Sequence, residues 1–249
     1  MLKAERKRFI LNEVRIHNRV LLTDIAETLH VSVDTIRRDI KELHKERMLK
    51  KVHGGAISLG FDNIHIGRGD IYALEQKTKI AQKGIGLLKM GQVILLSGGT
   101  TNMEFARLIP VELQITCFTP SLPVANQLMS KPNVDLIFIG GKMAKNSQIA
   151  IGGDAINMLS DIRVDMCFLG TNSIDSKLGL TEFDWEIVQL KKAMVKASKK
   201  IVCPVISEKL HSDQRYKVCD TDQVDILLTE LDPADARLDS FRNKNIVII

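Results

Sequence analysis

The residues best suited to chemistry lie in the run VSVDTIRRDI, Val31 to Ile40. Ser32 is a good helix N-cap, because its hydroxyl can accept a hydrogen bond from an otherwise unpaired amide of the first turn. Ile36, Ile40 and Leu43 recur at i, i+4 and i+7 and give the helix one apolar stripe. Asp34, Thr35, Arg37 and Arg38 fall off that stripe, close to the N-terminus. This is the part of a recognition helix that meets base edges and phosphates in the major groove. A charge run alone is as readily a solvated face, so the neighbouring elements decide.

Those neighbours form a compact arrangement. Leu2 to His17 carries Leu2, Ile10 and Val14 among Lys3, Arg6, Lys7 and Arg8, the spacing of a helix with an apolar face and a basic one. Arg19 to Leu22 reads as a short extended link, and Thr23 as the cap of a second helix, Asp24 to Leu29. His30 and Val31 make the turn into the third. Beyond it, Met48 to Ile57 holds two short extended runs around a basic, glycine-containing segment. That is a wing, with Lys50, Lys51, His53 and Gly54 placed to follow a phosphate backbone. Helix, turn, capped helix and wing together read as a winged helix-turn-helix.

Charge supports this division. Residues 1–60 contain 13 Lys or Arg against 8 Asp or Glu, whereas the remainder holds 22 of each. The whole net charge of +5 therefore sits in the first part, as expected of a surface that neutralises phosphates. No apolar run approaches the ~18 residues of a membrane span, and the basic N-terminus lacks the pattern of a signal peptide. A cytoplasmic protein without a membrane partner is expected. Cys117, Cys167, Cys203 and Cys219 are widely spaced and form no C-x-x-C pair, so buried reduced thiols are expected and no metal site. No cofactor is indicated.

A chain of 249 residues suits one small and one larger domain. The expected division is 1–58 for the winged helix, 59–74 for a linker containing Gly60, Gly67 and Gly69, and 75–249 for the rest. A helix is expected over Ile71 to Met90. Apolar runs then alternate with helical patterns at Val93–Leu96, Ile115–Phe118, Val134–Ile139, Val164–Leu169, Ile201–Val205 and Ile226–Leu228. The fold class is therefore α/β, with a mostly parallel sheet covered on both faces.

Ligands of such sheets bind at the carboxyl ends of the strands. The first loop there is Ser97-Gly98-Gly99-Thr100-Thr101, whose glycines, hydroxyls and following helix N-terminus make a phosphate cradle, though not a P-loop. Thr119 and Ser121, Gly140 and Gly141, and Gly170 occupy later loops of the same kind. Asp175 completes the candidate effector residues read from these loops. Asp175, Glu182, Asp184 and Glu186 are expected mostly as solvated carboxylates, and Trp185 serves core packing, a subunit contact or stacking on a sugar.

Val31-Ser32, Thr35 to Asp39 and Val52-His53-Gly54-Gly55-Ala56 resemble the N-terminal winged helix of the DeoR family of bacterial transcription regulators. The larger part resembles that family's sensor domain at Lys77, Ile80 and Ala81; Gly99-Thr100-Thr101; Gly140-Gly141; Gly152; Phe168-Leu169-Gly170; Gly179-Leu180-Thr181; Lys191; Ala193-Met194; and Lys209. The resemblance covers nearly the whole chain. It implies a sensor fold similar to ribose-5-phosphate isomerase, a sugar-phosphate effector, a double-stranded DNA operator and a homo-oligomer, dimer or tetramer. It implies a repressor of carbohydrate-metabolism genes rather than an enzyme. Departures concentrate at the pocket: Ser97 and Ile206 stand where the family commonly has Asp, Pro120 where it has Asn, and Ser173 where it has Gly. Arg47 and Lys51 replace the family's usual Gly and Arg. The alternatives are a sugar-phosphate isomerase or deaminase with a DNA-binding head, and a regulator whose pocket has degenerated.

Overall fold

A computed structural model describes residues 1–59 and 71–249. The chain divides into two units, Met1–Tyr72 and Ala73–Ile249. Most of the expected linker, residues 60–70, lies outside the described residues.

The first unit runs α1 (Lys3–His17), β1 (Arg19–Leu21), α2 (Leu22–Thr28), α3 (Val33–Lys45), β2 (Lys50–Val52) and β3 (Gly55–Ile57). Its core joins Ile10 and Val14 of α1, Ile25 of α2 and the Ile36–Ile40–Leu43 stripe of α3, closed by Leu49 and Ala56. Ser32 caps α3 as expected, its hydroxyl accepting from the Thr35 amide at 3.2 Å. Thr23 does not cap α2. The helix begins two residues earlier than expected, at Leu22, whose amide donates to Gly54 O of the wing turn at 2.8 Å, while the Thr23 hydroxyl bonds Asp24. The extended link before it is β1, an edge strand of the antiparallel sheet β1-β3-β2. That close pairing explains Gly55: a Cβ there would stand 1.9 Å from Val20 O.

The basic face of α1 turns toward α3. Lys3 and Lys7 pair with Glu42, Lys7 also with Glu46, and Arg6 makes a two-point contact with Asp39. Asp39 is only 1% exposed. A buried carboxylate requires such a partner.

The second unit contains α4 (Leu74–Ile85), β4 (Val93–Leu96), α5 (Thr100–Leu108), β5 (Ile115–Thr119), α6 (Leu122–Leu128), β6 (Val134–Phe138), β7 (Lys142–Ala144), β8 (Ile149–Ile151) and α7 (Gly153–Ser160). It continues with β9 (Met166–Phe168), β10 (Ser173–Asp175), β11 (Gly179–Glu182), α8 (Trp185–Lys196), β12 (Ile201–Pro204), β13 (Tyr216–Cys219), β14 (Ile226–Leu228), α9 (Asp239–Arg242) and β15 (Val247–Ile248). Seven strands form the main sheet in the order β15-β14-β12-β9-β4-β5-β6, every neighbouring pair parallel. Each expected apolar run supplies one of its strands. Helix α4 is shorter than the expected Ile71–Met90, ending at Gly86 with short turns replacing its last residues. The antiparallel sheet β10-β11-β13 and the β7-β8 hairpin were not expected. The C-terminal strand completes the main sheet beside β14.

The core of this unit includes Leu95, Leu169, Val188, Met194 and Leu227, and all four cysteines are buried free thiols. Burial pushes the Cys219 thiol up to about 11 and Cys167 to about 12, which leaves both protonated and unreactive at neutral pH.

Removing one member of a buried ion pair strands the other. Asp39→Ala is therefore expected to destabilise the first unit by about 3 kcal/mol, read as an earlier unfolding transition in denaturant. A loss below about 0.5 kcal/mol, the scale of an exposed pair, would show that the Arg6 contact is incidental.

Candidate functional site

The first unit presents a basic surface on α3 and the wing. Ser32, Asp34, Arg37 and Arg38 are exposed at the start of α3, with Thr35 half-buried beneath them and hydrogen-bonded to the Ser32 hydroxyl at 2.8 Å. Asp34 and Arg37 pair with each other across one turn, so a base edge must displace one partner to engage the other. Lys41, one turn beyond Arg37 and Arg38, extends the exposed cationic face and was not singled out from the sequence. On the wing, Lys51, His53 and Gly54 are exposed and Lys50 is half-buried. The hairpin closes at His53-Gly54, where Gly54 takes φ +74°, a conformation that glycine adopts without steric cost. Arg47 occupies a left-handed position at φ +56° where α3 ends. This is physically the place for the Gly whose absence the sequence shows.

In the second unit, β5 and β6 lie on one side of β4, and β9, β12, β14 and β15 on the other. The direction of winding reverses between β4 and β9, and the crevice beyond the carboxyl ends there is where open α/β sheets bind ligands. The loops after these two strands are joined tightly. The Ser97 hydroxyl accepts from Gly170 N at 2.8 Å, and Asn102 Nδ2 donates to Ser97 O, Ser97 Oγ and Phe168 O at 3.0–3.1 Å. A Cβ on Gly170 would stand 2.9 Å from Gly98 O. Gly99 takes φ +108° and opens α5, leaving Thr100 and Thr101 half-buried in its first turn.

Thr119 and Ser121 flank this clasp on the β5 side. The Thr119 hydroxyl donates to Leu96 O at 2.8 Å and accepts from Ser121 N at 3.1 Å. The Ser121 hydroxyl is fully buried with no hydrogen-bond partner among the described residues, as is Asn102 Oδ1. On the other side, Lys209 Nζ donates to Thr171 O at 3.0 Å. Burial lowers the Lys209 amine to about 8, with neighbouring Glu182 opposing and Lys191 adding to the fall.

Not every expected residue joins the group. Asp175 turns into its own hairpin, where Oδ1 accepts from Lys177 N and Leu178 N. Gly140 and Gly141 follow β6, two strands from β4. Gly141 lies where the chain runs close to β8 and α7, a Cβ there falling 2.9 Å from Ile151 O. Lys191 is buried against Glu182, whose second oxygen accepts from Asn172 Nδ2 at 2.7 Å.

Glu182, at 2% exposure, corrects the expectation of a solvated carboxylate. Its burial comes from β11 lying between β10 and β13, a small sheet that short mixed runs did not announce. Asp184 instead caps α8, and Glu186 is an exposed partner of Lys142. Trp185 is 56% exposed and packs edge-on against Tyr216, so it is not core. Among the described residues no group of His, Cys, Asp and Glu could hold a metal ion, and no helix is long and apolar enough to cross a membrane.

A winged helix joined to a doubly-wound α/β unit with a polar crevice at its switch point describes a two-unit DNA-binding regulator. Residues 6–60 match the DeoR-like helix-turn-helix domain, and residues 73–231 match the DeoR C-terminal sensor domain. The chain belongs to the DeoR family of transcription regulators. It is 31% identical to the HTH-type transcriptional regulator GlpR of Haloferax volcanii over 92% of this chain and 91% of that one. It is 28% identical to the HTH-type transcriptional repressor GlcR of Bacillus subtilis over 100% and 96% of the two chains. The glycerol-3-phosphate regulon repressor of Escherichia coli is also 28% identical, over 94% and 93%. Among solved structures, ribose 5-phosphate isomerase A of Methanocaldococcus jannaschii is similar at TM-score 0.40 and 20% identity, over 54% of this chain and 53% of that one.

Two outcomes are expected. Arg38→Ala should weaken DNA binding on all sequences alike and reduce the slope of log affinity against log salt by about 1, measured by fluorescence anisotropy on duplex DNA. An unchanged slope would remove Arg38 from the phosphate-contacting set. Gly170→Ala should force the two switch-point loops apart and destabilise the second unit by about 1–3 kcal/mol, measured by chemical denaturation. An unaltered midpoint would show that the loops yield freely.

Proposed function

We propose that this protein is a cytoplasmic repressor of carbohydrate-metabolism genes, released from or tightened on its operator by a phosphorylated sugar or polyol. Its working division is a winged helix over 1–58, a linker over 59–74 and a sensor over 75–249. As a homo-oligomer, dimer or tetramer, it sets paired recognition helices in successive major grooves of double-stranded DNA. Arg37, Arg38, Lys50 and Lys51 meet phosphates, with His53 and Gly54 beside them; Asp34, Thr35 and Arg37 face base edges, and Ser32 fixes the helix start.

The observation that carries the sensing reading is the convergence, at one switch point, of the Gly98-Gly99-Thr100-Thr101 turn with a lysine amine. The N-terminus of α5 and the threonine hydroxyls offer donors to an anion, and Lys209 reaches the adjacent loop at Thr171. The names of two relatives agree with this: one is a glycerol-3-phosphate regulon repressor, the other a transcriptional repressor.

The enzyme alternative is disfavoured by the state of Glu182, a buried carboxylate beside Lys191 and Lys209. Both oxygens of Glu182 are taken, by Lys191 and Asn172, and an acid or base must be able to reach the substrate proton. The Ser-for-Asp departure at Ser97 bears on structure first, because that hydroxyl is occupied by Gly170 N and Asn102.

The test is binding of the full chain to the DNA flanking its own gene, with and without a panel of sugar and polyol phosphates. One phosphate is expected to change the affinity by about 5–150-fold, the usual range of coupling free energies. Thr100→Ala and Lys209→Ala should each abolish that response while leaving DNA binding intact. DNA binding that no phosphate alters would indicate a degenerate pocket. Turnover of any of these phosphates would restore the enzyme alternative.

A further inference from the structure

Two adjacent arginines stand near the start of α3, and their surroundings differ. Arg38 is exposed and makes no ion pair among the described residues, and the same holds for Lys41, one turn from Arg37 and Arg38. Arg37 is exposed too, yet its guanidinium is held by Asp34 across one turn. Asp34 is not needed to start the helix, because Ser32 caps it and shares a 2.8 Å hydrogen bond with the Thr35 hydroxyl. An exposed pair at this spacing also adds little to helix stability.

A carboxylate here carries an electrostatic cost. The free amides and the positive end of a helix attract phosphate, and Asp34 in the first turn of α3 opposes it. The pair has no net charge, so attraction to the backbone falls to Arg38, Lys41 and the wing. A guanine offers Arg37 what a phosphate elsewhere on the face does not, since O6 and N7 accept two guanidinium donors from the major groove. The released carboxylate can then accept from a cytosine N4. Side chains one helical turn apart stand about 5–6 Å from each other at Cβ, which brings the same or the next base pair within reach of both.

We propose that the Asp34–Arg37 pair is a sequence filter: Asp34 withholds Arg37 from phosphates, and a guanine with a cytosine N4 beside it opens the pair. This rests on the operator-binding reading above, and it assigns Arg37 to a base edge rather than to the backbone. Specificity gained in this way comes from weakening the wrong complex. Without a guanine the pair stays closed, and one cation fewer meets the DNA. Arg38, which has no such partner, supplies the charge that every sequence receives.

The experiment uses the full-length protein, duplexes that it enriches from a random library, and an alternating A·T duplex that contains no guanine. Affinity is followed against salt by fluorescence anisotropy. Both side chains are exposed, so neither substitution touches the core. On the A·T duplex, Arg37→Ala should leave the slope of log affinity against log salt unchanged. Asp34→Asn should steepen it by about 0.9, the share of one freed cation, and tighten binding about fivefold at about 0.15 M salt. On the enriched duplexes, Arg37→Ala should weaken binding by about 5–150-fold. Replacing one guanine in each half-site should weaken wild type equally and the Arg37→Ala variant no further. Asp34→Asn should narrow the preference for enriched over A·T DNA. If Asp34→Asn changes neither slope nor preference, the pair is only a helix contact and the proposal is overturned. It is overturned as well if Arg37→Ala lowers the slope on the A·T duplex by about 1, because Arg37 then already meets a phosphate. Wild type that enriches no sequence overturns the operator-binding reading, and this proposal with it.

Discussion

The second unit depends on a hydrogen-bonded knot at its centre. Asn102 sits 1% exposed behind the first turn of α5 and donates to the backbone of both β4 and β9, while the Ser97 hydroxyl accepts from Gly170 N. Reversing a parallel sheet at this point leaves two loops whose amides and carbonyls have lost their ladder partners, and each such buried group must find another. One amide side chain and one hydroxyl meet most of that demand. The loops are thereby drawn close enough that only glycine fits at 170. The same economy explains the character of the crevice. Its floor is backbone, and side-chain donors flank it from the first turn of α5 and from Lys209 after β12.

The first unit solves a different problem with a similar device. About 60 residues bury too little apolar surface for comfort, and the three helices share a core of small extent. The Arg6–Asp39 pair adds a directional constraint, fixing the rotation of α1 against α3 in a way that an apolar contact does not. Lys3 and Lys7 are engaged by Glu42 and Glu46, while the exposed cations include Arg8 and Arg15 of α1 as well as those of α3 and the wing.

What the sequence disclosed, and what it did not, follows the range of the interactions involved. The α3 stripe and the Ser32 cap act within a turn or two, so periodicity and capping chemistry revealed them. Six strands of the main sheet were visible because buried parallel strands are continuous apolar runs. The Lys3–Glu42 pairing joins residues 39 apart, and nothing in either local pattern announces it. Thr23 looked like a cap because its type and position suited one, but a tertiary bond from Leu22 to the wing moved the helix start. The candidate site was legible as a set of glycine-bearing loops after strands. Its charges were less so: Glu182 and Lys77 owe their burial to a three-stranded sheet and to helix packing that strand-by-strand reading does not supply.

The departures at the crevice can now be weighed by what surrounds them. Ile206 is 2% exposed and Ser97 1%, so an Asp at either place would carry a buried charge in need of donors. Here Ser97 forms the knot as a neutral acceptor, and Ile206 joins the core. The negative charges that such aspartates would bring are absent from an edge where Lys191 and Lys209 lie beside Glu182. Carboxylates select for ligand hydroxyls and against ligand anions, because like charges brought together in a poorly solvated site repel strongly. On the sensing reading proposed above, replacing them tilts the crevice from reading ligand hydroxyls toward holding the ligand's anionic group.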